Sequence, residues 1–99
     1  MLKKYLYILS FFSILFSNSI FVPGDYSNIQ LAINNTDEGD TVIVDAGVYA
    51  ENIIINEHSI VLISADGAEN TIIDGNQSGS VIVFEGNETS EARIENFTI

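Results

Sequence analysis

The strongest constraint on the fold is a set of short runs rich in Val and Ile. They begin at residue 41 and alternate with clusters of Gly, Asn and Asp. Residues branched at Cβ favour strands, and the clusters between them favour turns. The runs therefore predict six strands, at 41–44, 52–55, 60–63, 71–73, 81–84 and 92–99.

The branched apolar positions of these runs recur at a nearly constant interval. Val42, Val61 and Ile82 form one series, and Ile53, Ile72 and Ile94 form a second, with steps of 19 to 22 residues. A repeat of this length is typical of architectures in which each turn of the chain stacks on the one before. Most gaps are too short for helical crossovers, so we expect parallel strands in a β-solenoid. The alternative is an antiparallel sandwich with turns at 74–75 and 85–86.

One helix is predicted before the strands. Ser27 is a suitable N-cap, and Gln30 stands three residues later, where it completes a capping-box pattern. Ile29, Ala32 and Ile33 share one face of that helix. A helix of about two turns is marginal alone in water, so this apolar face must cover a core.

The first 19 residues have the features of an export signal. Lys3 and Lys4 precede an apolar run at 6–16, and Ser17 and Ser19 provide small residues before a cleavage site. We expect cleavage after Ser19 and a product that is secreted, at the cell surface or in the periplasm. The apolar run is shorter than the roughly 20 residues that a membrane span needs, so no span is expected after the signal is removed.

Charge and cysteine content exclude several classes of function. The chain has 14 Asp and Glu, three Lys and Arg, and no Cys. Nucleic-acid binding is not expected, because such proteins present a basic surface to phosphates. Disulfides, thiol catalysis and zinc sites built on sulfur are excluded by the lack of Cys.

Several segments resemble a known family. They are VPGDYSNIQLAI at 22–33, GDTVIV at 39–44, AGVYAENI at 46–53, TIIDG at 71–75 and NFTI at 96–99. Together they are similar to the opening of secreted right-handed parallel β-helix proteins of the pectin lyase-like group. The sequence departs from the usual pattern at Asn28, Leu31, Asn96 and the Asp45–Ala46 pair, where Pro is common.

The resemblance implies an all-β fold, a right-handed parallel β-helix (solenoid) with a short N-terminal capping helix. Residues 1–19 would be the signal peptide, 20–40 the opening segment with its capping helix, and 41–99 the first, incomplete coils. The same chain would then continue beyond Ile99. Family members include polysaccharide lyases, hydrolases, pectin esterases, copper-maturation proteins and surface proteins of unknown activity.

Function is expected on the same basis to be carbohydrate binding or processing at the cell surface, with polysaccharide as the partner. The alternatives are a non-catalytic surface or adhesive solenoid and a periplasmic metal-maturation factor. In the family's enzymes the catalytic residues lie on later coils, so no catalytic, cofactor-binding or metal residue is assigned here. For residues 1–99 alone we expect no catalysis, whereas a longer chain could be an enzyme of the lyase, hydrolase or pectin esterase type.

Candidate residues for chemistry are few. His58, between Glu57 and Ser59, reads as a solvated turn residue, because neighbours on an extended chain point to opposite faces. Asp45, Asp66 and Asp74 could approach one another for acid–base work, but each stands where Asp favours a turn. No cofactor is expected apart from calcium, which hard turn oxygens could bind.

Asparagine sequons and tyrosines are the remaining candidates for modification or ligand binding. Asn-x-Ser/Thr sequons occur at Asn34, Asn76, Asn87 and Asn96, and the high Asn content makes chance matches easy. Tyr26 and Tyr49 are the tyrosines left after signal removal, too few to predict a sugar-stacking platform.

Overall fold

The computed structural model describes residues 17–56, 59–85 and 92–99. It contains one short helix and eight strands in these ranges. They are β1 (Ser19–Val22), α1 (Ile29–Asn34), β2 (Thr41–Val44), β3 (Gly47–Ala50), β4 (Ile53–Asn56), β5 (Val61–Ser64), β6 (Thr71–Asp74), β7 (Ile82–Glu85) and β8 (Arg93–Glu95).

The strands form three short sheets, and every strand pair is parallel. The long sheet has the order β1-β2-β5-β8, and two smaller sheets pair β3 with β6 and β4 with β7. No hairpin joins neighbouring strands in this part of the chain, so the antiparallel sandwich is wrong. Runs of consecutive apolar residues are typical of parallel strands.

The register of these sheets corrects the predicted fold class. Val42 pairs with Leu62, not with Val61, and Ile82 pairs with Ile53 from the other predicted series. Neither series is therefore a column of stacked residues.

The offsets between paired strands also differ. Thr41 pairs with Val61, 20 positions along the chain, whereas Val61 pairs with Arg93, 32 positions along. Without a constant repeat, and with two sheets of only two strands, the predicted all-β right-handed parallel β-helix is wrong. The described residues form a small α/β-type domain with parallel strands in short sheets.

The core lies between the three sheets and the helix. Alternate residues of the strands are buried, among them Val42 and Val44 on β2, Ile53 and Ile55 on β4, and Leu62 on β5. Complete burial of one such side chain stabilises the fold by about 1.5–3 kcal/mol. The predicted apolar face of the helix is confirmed, because Ile29, Ala32 and Ile33 are buried in this core.

The helix cap differs from the prediction by one residue. Asn28 is the N-cap, and its Oδ1 accepts the Leu31 N–H at 2.8 Å. Gln30 does not complete a capping box: its Oε1 accepts the Ile54 N–H at 2.8 Å and its Nε2 donates to the Ile54 carbonyl at 3.0 Å. The Gln30 amide thus pairs with β4 much as a neighbouring strand would.

Two strands were not predicted, and one was predicted too long. β1 begins at Ser19, and β3 begins with Gly47 and contains Ala50, both poor strand formers. The run at 92–99 forms only β8 and an isolated bridge from Thr98 to Ile72.

Residues 1–16 of the predicted signal lie outside the described residues. Within the described ranges, no helix is long and apolar enough to cross a membrane.

Candidate functional site

Polar side chains line a surface groove of about 450 Å³, here called the amino-terminal groove. Its lining residues are Asn18, Ser19, Ile20, Asp25, Tyr26, Asn35, Asp37 and Asp40. The groove lies where β1, the turn after it and the loop after α1 meet. Three carboxylates give it a negative character.

Two of these carboxylates hold the backbone. Asp40 is only 2% exposed. Its Oδ1 accepts the Asn18 N–H at 2.9 Å, and its Oδ2 accepts the Asp37 N–H at 2.8 Å. The Asp25 carboxylate accepts the Phe21 N–H at 2.9 Å across the turn after β1. These oxygens therefore stabilise the groove wall.

The three aspartates considered for acid–base chemistry are not gathered into one site. Asp66 reaches the turn beside Asp45, where its Oδ2 accepts the Ala46 N–H at 3.2 Å. Asp74 makes the local turn contact expected of Asp, accepting the Asn76 N–H at 2.8 Å.

Two glutamates that sequence reasoning missed also bind backbone groups far along the chain. Glu51 accepts the N–H groups of Ile29 and Gln30, each at 2.9 Å, at the start of α1. Glu38 accepts the Ser59 N–H at 2.8 Å. The only signal in the sequence was acidity near turns, which does not reveal a partner more than 20 residues away.

His58 and Glu57 lie outside the described residues. Ser59 is buried, with its backbone N–H bound by Glu38 and its carbonyl accepting the Gly39 N–H at 2.9 Å.

The two tyrosines occupy separate places. Tyr26 lines the amino-terminal groove, whereas Tyr49 lies on β3 and donates its O–H to the Asp45 carbonyl at 2.8 Å. Partial burial raises the pKa of the Tyr49 hydroxyl above its usual 10.0, and the charges of Asp45 and Glu51 raise it further. The neutral phenol is therefore the favoured form.

Three of the four sequon asparagines are described, and all three are exposed. Asn34 is the last residue of α1, whereas Asn76 and Asn96 adopt positive φ angles of 57° and 66°. Asn96 was expected within a strand but follows β8 as a bend residue, a position that its left-handed backbone explains. Asn87 lies outside the described residues.

The described residues contain no cluster of side chains arranged as a metal site. No group of three or more Asp, Glu or His side chains is placed there to hold a metal ion. Calcium stays a prediction, since turn oxygens of the kind it prefers are present.

The outer face of the long sheet is the second candidate surface, and sequence reasoning did not identify it. One row across the strands contains Phe21, Ile43 and Ile63 and ends at Glu95. The adjacent row contains Ser19, Thr41 and Val61 and ends at Arg93. Phe21 is 44% exposed, while Ile43, Val61 and Ile63 are half-buried. Consecutive apolar residues in β2 and β5 were the available signal, since both faces of such strands are apolar.

A groove of about 430 Å³ adjoins the end of this outer face. It is lined by Gly39, Ser59, Val61 and Arg93. Arg93 is the only Lys or Arg after residue 4, and in this groove it lies beside the apolar side chain of Val61.

Comparison of the chain with protein-family models, with curated proteins and with solved structures finds no significant match. The likeness to pectin lyase-like proteins therefore stays a prediction from the quoted segments.

Proposed function

We propose that this chain is a non-catalytic structural module of an exported protein. The observation that carries the proposal is that several of its carboxylates bind backbone N–H groups. Asp25, Asp40 and Glu51 accept backbone N–H groups at 2.8–2.9 Å. A carboxylate engaged in this way stabilises a turn or a helix end and is poorly suited to transfer protons to a substrate.

Export is the second part of the proposal. It is supported by the basic and apolar pattern of residues 1–19, which is typical of a secretory signal. An exported chain without Cys must be stabilised by packing and hydrogen bonds, and backbone-binding carboxylates supply part of that stability. The acidic excess also keeps such a surface soluble.

Export is tested by expressing the complete chain in a secreting host and determining the amino terminus of the product by mass spectrometry. A product that begins at Ile20, or within a residue or two of it, supports the proposal. Recovery of the chain with Met1 intact in the membrane fraction would contradict it.

The lack of catalysis is tested by incubating the purified chain with pectin-like polymers and measuring chain length and ester content. We expect no change in either. Turnover that persists in a His58→Ala variant and is lost in Asp45→Asn or Asp66→Asn would contradict the proposal and assign acid–base work to those carboxylates.

Polysaccharide binding on the outer face is a second candidate function. It is favoured by the neighbouring rows of that face, one apolar with an exposed ring at Phe21 and one carrying the hydroxyl of Thr41. Sugars present the same combination, an apolar C–H face beside hydroxyl groups. Aromatic side chains with a few polar groups beside them are common in sites that bind small molecules.

Glycan binding is tested with immobilised pectin-like and glucan polymers. Phe21→Ala should weaken retention, whereas Val48→Ala, on a different sheet and 68% exposed, serves as the matched control. Equal retention of both variants, or no retention of the native chain, would exclude the outer face as a glycan site.

A further inference from the structure

We propose that two copies of this chain associate through β8, with the two β8 strands antiparallel and the Ile94 residues facing each other at a twofold axis. The contact lies at the β8 edge of the long sheet, where it shares Arg93 and Glu95 with the outer face, and it does not rest on either proposed function.

An open strand edge is the first observation. Among the described residues β8 pairs with β5 alone and is the last strand of the long sheet. The Arg93 N–H donates to the Ile60 carbonyl at 3.0 Å, so the backbone of Arg93 faces β5. Successive residues of a strand alternate in this respect, and the N–H and C=O of Ile94 therefore point away from β5. Such an edge is a template for another strand.

The direction of these groups fixes the register. Two copies of Ile94 that face each other can exchange both backbone hydrogen bonds, which is the hydrogen-bonded pair of an antiparallel ladder. The flanking positions then form non-hydrogen-bonded pairs, in which side chains lie closest. In that register Arg93 lies opposite the partner's Glu95, and Glu95 lies opposite the partner's Arg93.

Charge complementarity identifies a second copy as the occupant. Arg93 and Glu95 lie on one face of β8, with an Arg93 guanidinium nitrogen 3.6 Å from Glu95 Oε1. The Arg93 side chain is 60% exposed and the Glu95 side chain 41% exposed. Antiparallel pairing would set them in a square of alternating charges, and opposite charges across a ladder stabilise it. Because the rest of the folded part is acidic, most other contacts between two copies would bring like charges together.

Charge reversal tests the contact. Sedimentation equilibrium of the full chain should detect a species of twice the chain mass. Arg93→Glu and Glu95→Arg should each raise the dissociation constant by about tenfold or more, because each change creates two like-charge pairs. Glu69→Arg, on an exposed turn, is the matched control and should leave the dimer unchanged.

Mixing the two single variants should restore a dimer that contains one chain of each, since an acidic pair then faces a basic pair. The double variant R93E/E95R should dimerise as the native chain does. Circular dichroism and thermal unfolding of each variant confirm that the monomer still folds.

Cysteine pairing tests the register independently, because the chain has no Cys of its own. A mixture of Arg93→Cys and Glu95→Cys should form a mixed disulfide faster than either variant forms one alone, since directly opposed positions lie within disulfide reach. A monomer at all concentrations, a dimer insensitive to both charge reversals, or no preference for the mixed disulfide would each overturn the proposal.

Discussion

The carboxylate of Glu51 accepts the backbone N–H of Ile29 at 2.9 Å, and its second oxygen accepts that of Gln30 at the same distance. The first N–H groups of a helix have no partner within the helix. The side chain of the residue that follows β3 thus completes the start of α1, together with the local cap at Asn28. The two elements are fixed to each other through this one carboxylate.

Removal of the carboxylate should destabilise the chain. We expect Glu51→Ala to lower the free energy of unfolding by about 1–3 kcal/mol, because two partly buried N–H groups lose a charged acceptor. Glu51→Gln should lower the free energy of unfolding by less than Glu51→Ala does, since an amide oxygen remains to accept one of the two N–H groups. Urea unfolding measures both, and Glu69→Ala, on an exposed turn, should change stability by less than about 0.5 kcal/mol. Equal midpoints for the variants at positions 51 and 69 would show that the helix does not depend on Glu51.

Replacement of the buried carboxylate of Asp40 should also lower the free energy of unfolding. Asp40→Asn replaces one acceptor oxygen by an NH₂ group that faces a backbone N–H, either that of Asn18 or that of Asp37. We expect a loss of about 1–3 kcal/mol in urea unfolding. Asp37→Asn is the matched control, because that exposed side chain changes while its backbone N–H still donates to Asp40.

The position of the amino terminus should modify this effect. A chain that begins at Ile20 lacks the Asn18 N–H, so one of the two bonds to Asp40 is absent. Asp40→Asn should then lower the free energy of unfolding by less than it does in a chain that retains Asn18. The same loss in both chains would mean that the Asn18 contact contributes nothing to stability.

Gly75 should tolerate no larger side chain. A Cβ at this position would lie 2.8 Å from Val81 Cγ2 and 3.0 Å from Asn52 Nδ2. We expect Gly75→Ala to cost about 1–3 kcal/mol through overpacking, and Val81→Ala in the same chain to recover part of that loss. At Gly24 the nearest atom would be 3.6 Å away, so Gly24→Ala should be close to neutral in thermal unfolding. Similar melting temperatures for the two Gly variants would contradict the packing argument.

Tyr49 should make stability fall at high pH. Its pKa is raised in the folded chain by burial and by Asp45 and Glu51, so the unfolded chain loses the phenol proton first. The contribution of Tyr49 is therefore complete below about pH 10, the unfolded value, and is lost as pH rises through the folded pKa. Urea unfolding at about pH 8 and about pH 11 should show a smaller loss in Tyr49→Phe than in the native chain. Tyrosinate absorbance gives the titration directly, and an identical pH dependence in the two chains would refute the assignment.

The sequence was most informative about local features. All six predicted runs overlap observed strands over three or more residues, although the run at 92–99 was predicted too long, and the buried face of α1 was correct at Ile29, Ala32 and Ile33. The predicted turn role of Asp74 is confirmed by its bond to Asn76. These features depend on side-chain pattern and on nearby backbone, both of which can be read from the chain itself.

Long-range relationships were not predictable in the same way. The register was inferred from branched residues alone, whereas Leu62 occupies the position opposite Val42. Gln30 was assigned to a capping box by its spacing from Ser27, whereas its actual partner, Ile54, lies 24 positions away. The carboxylates of Glu51 and Asp66 likewise meet backbone groups more than a dozen residues distant. Turn length between strands decides which groups meet, and sequence pattern alone does not give it.

The parallel pairing of every strand has a consequence for the time course of folding. The shortest offset between paired strands is 20 residues, between β2 and β5. Among the described strands, no sheet hydrogen bond can form until a segment of that length has closed into a loop, and the conformational entropy of that segment is lost before the new contacts compensate. The chain should therefore fold more slowly than a sheet of hairpins of equal size, and its apolar strands stay accessible to chaperones or to one another until that closure is made.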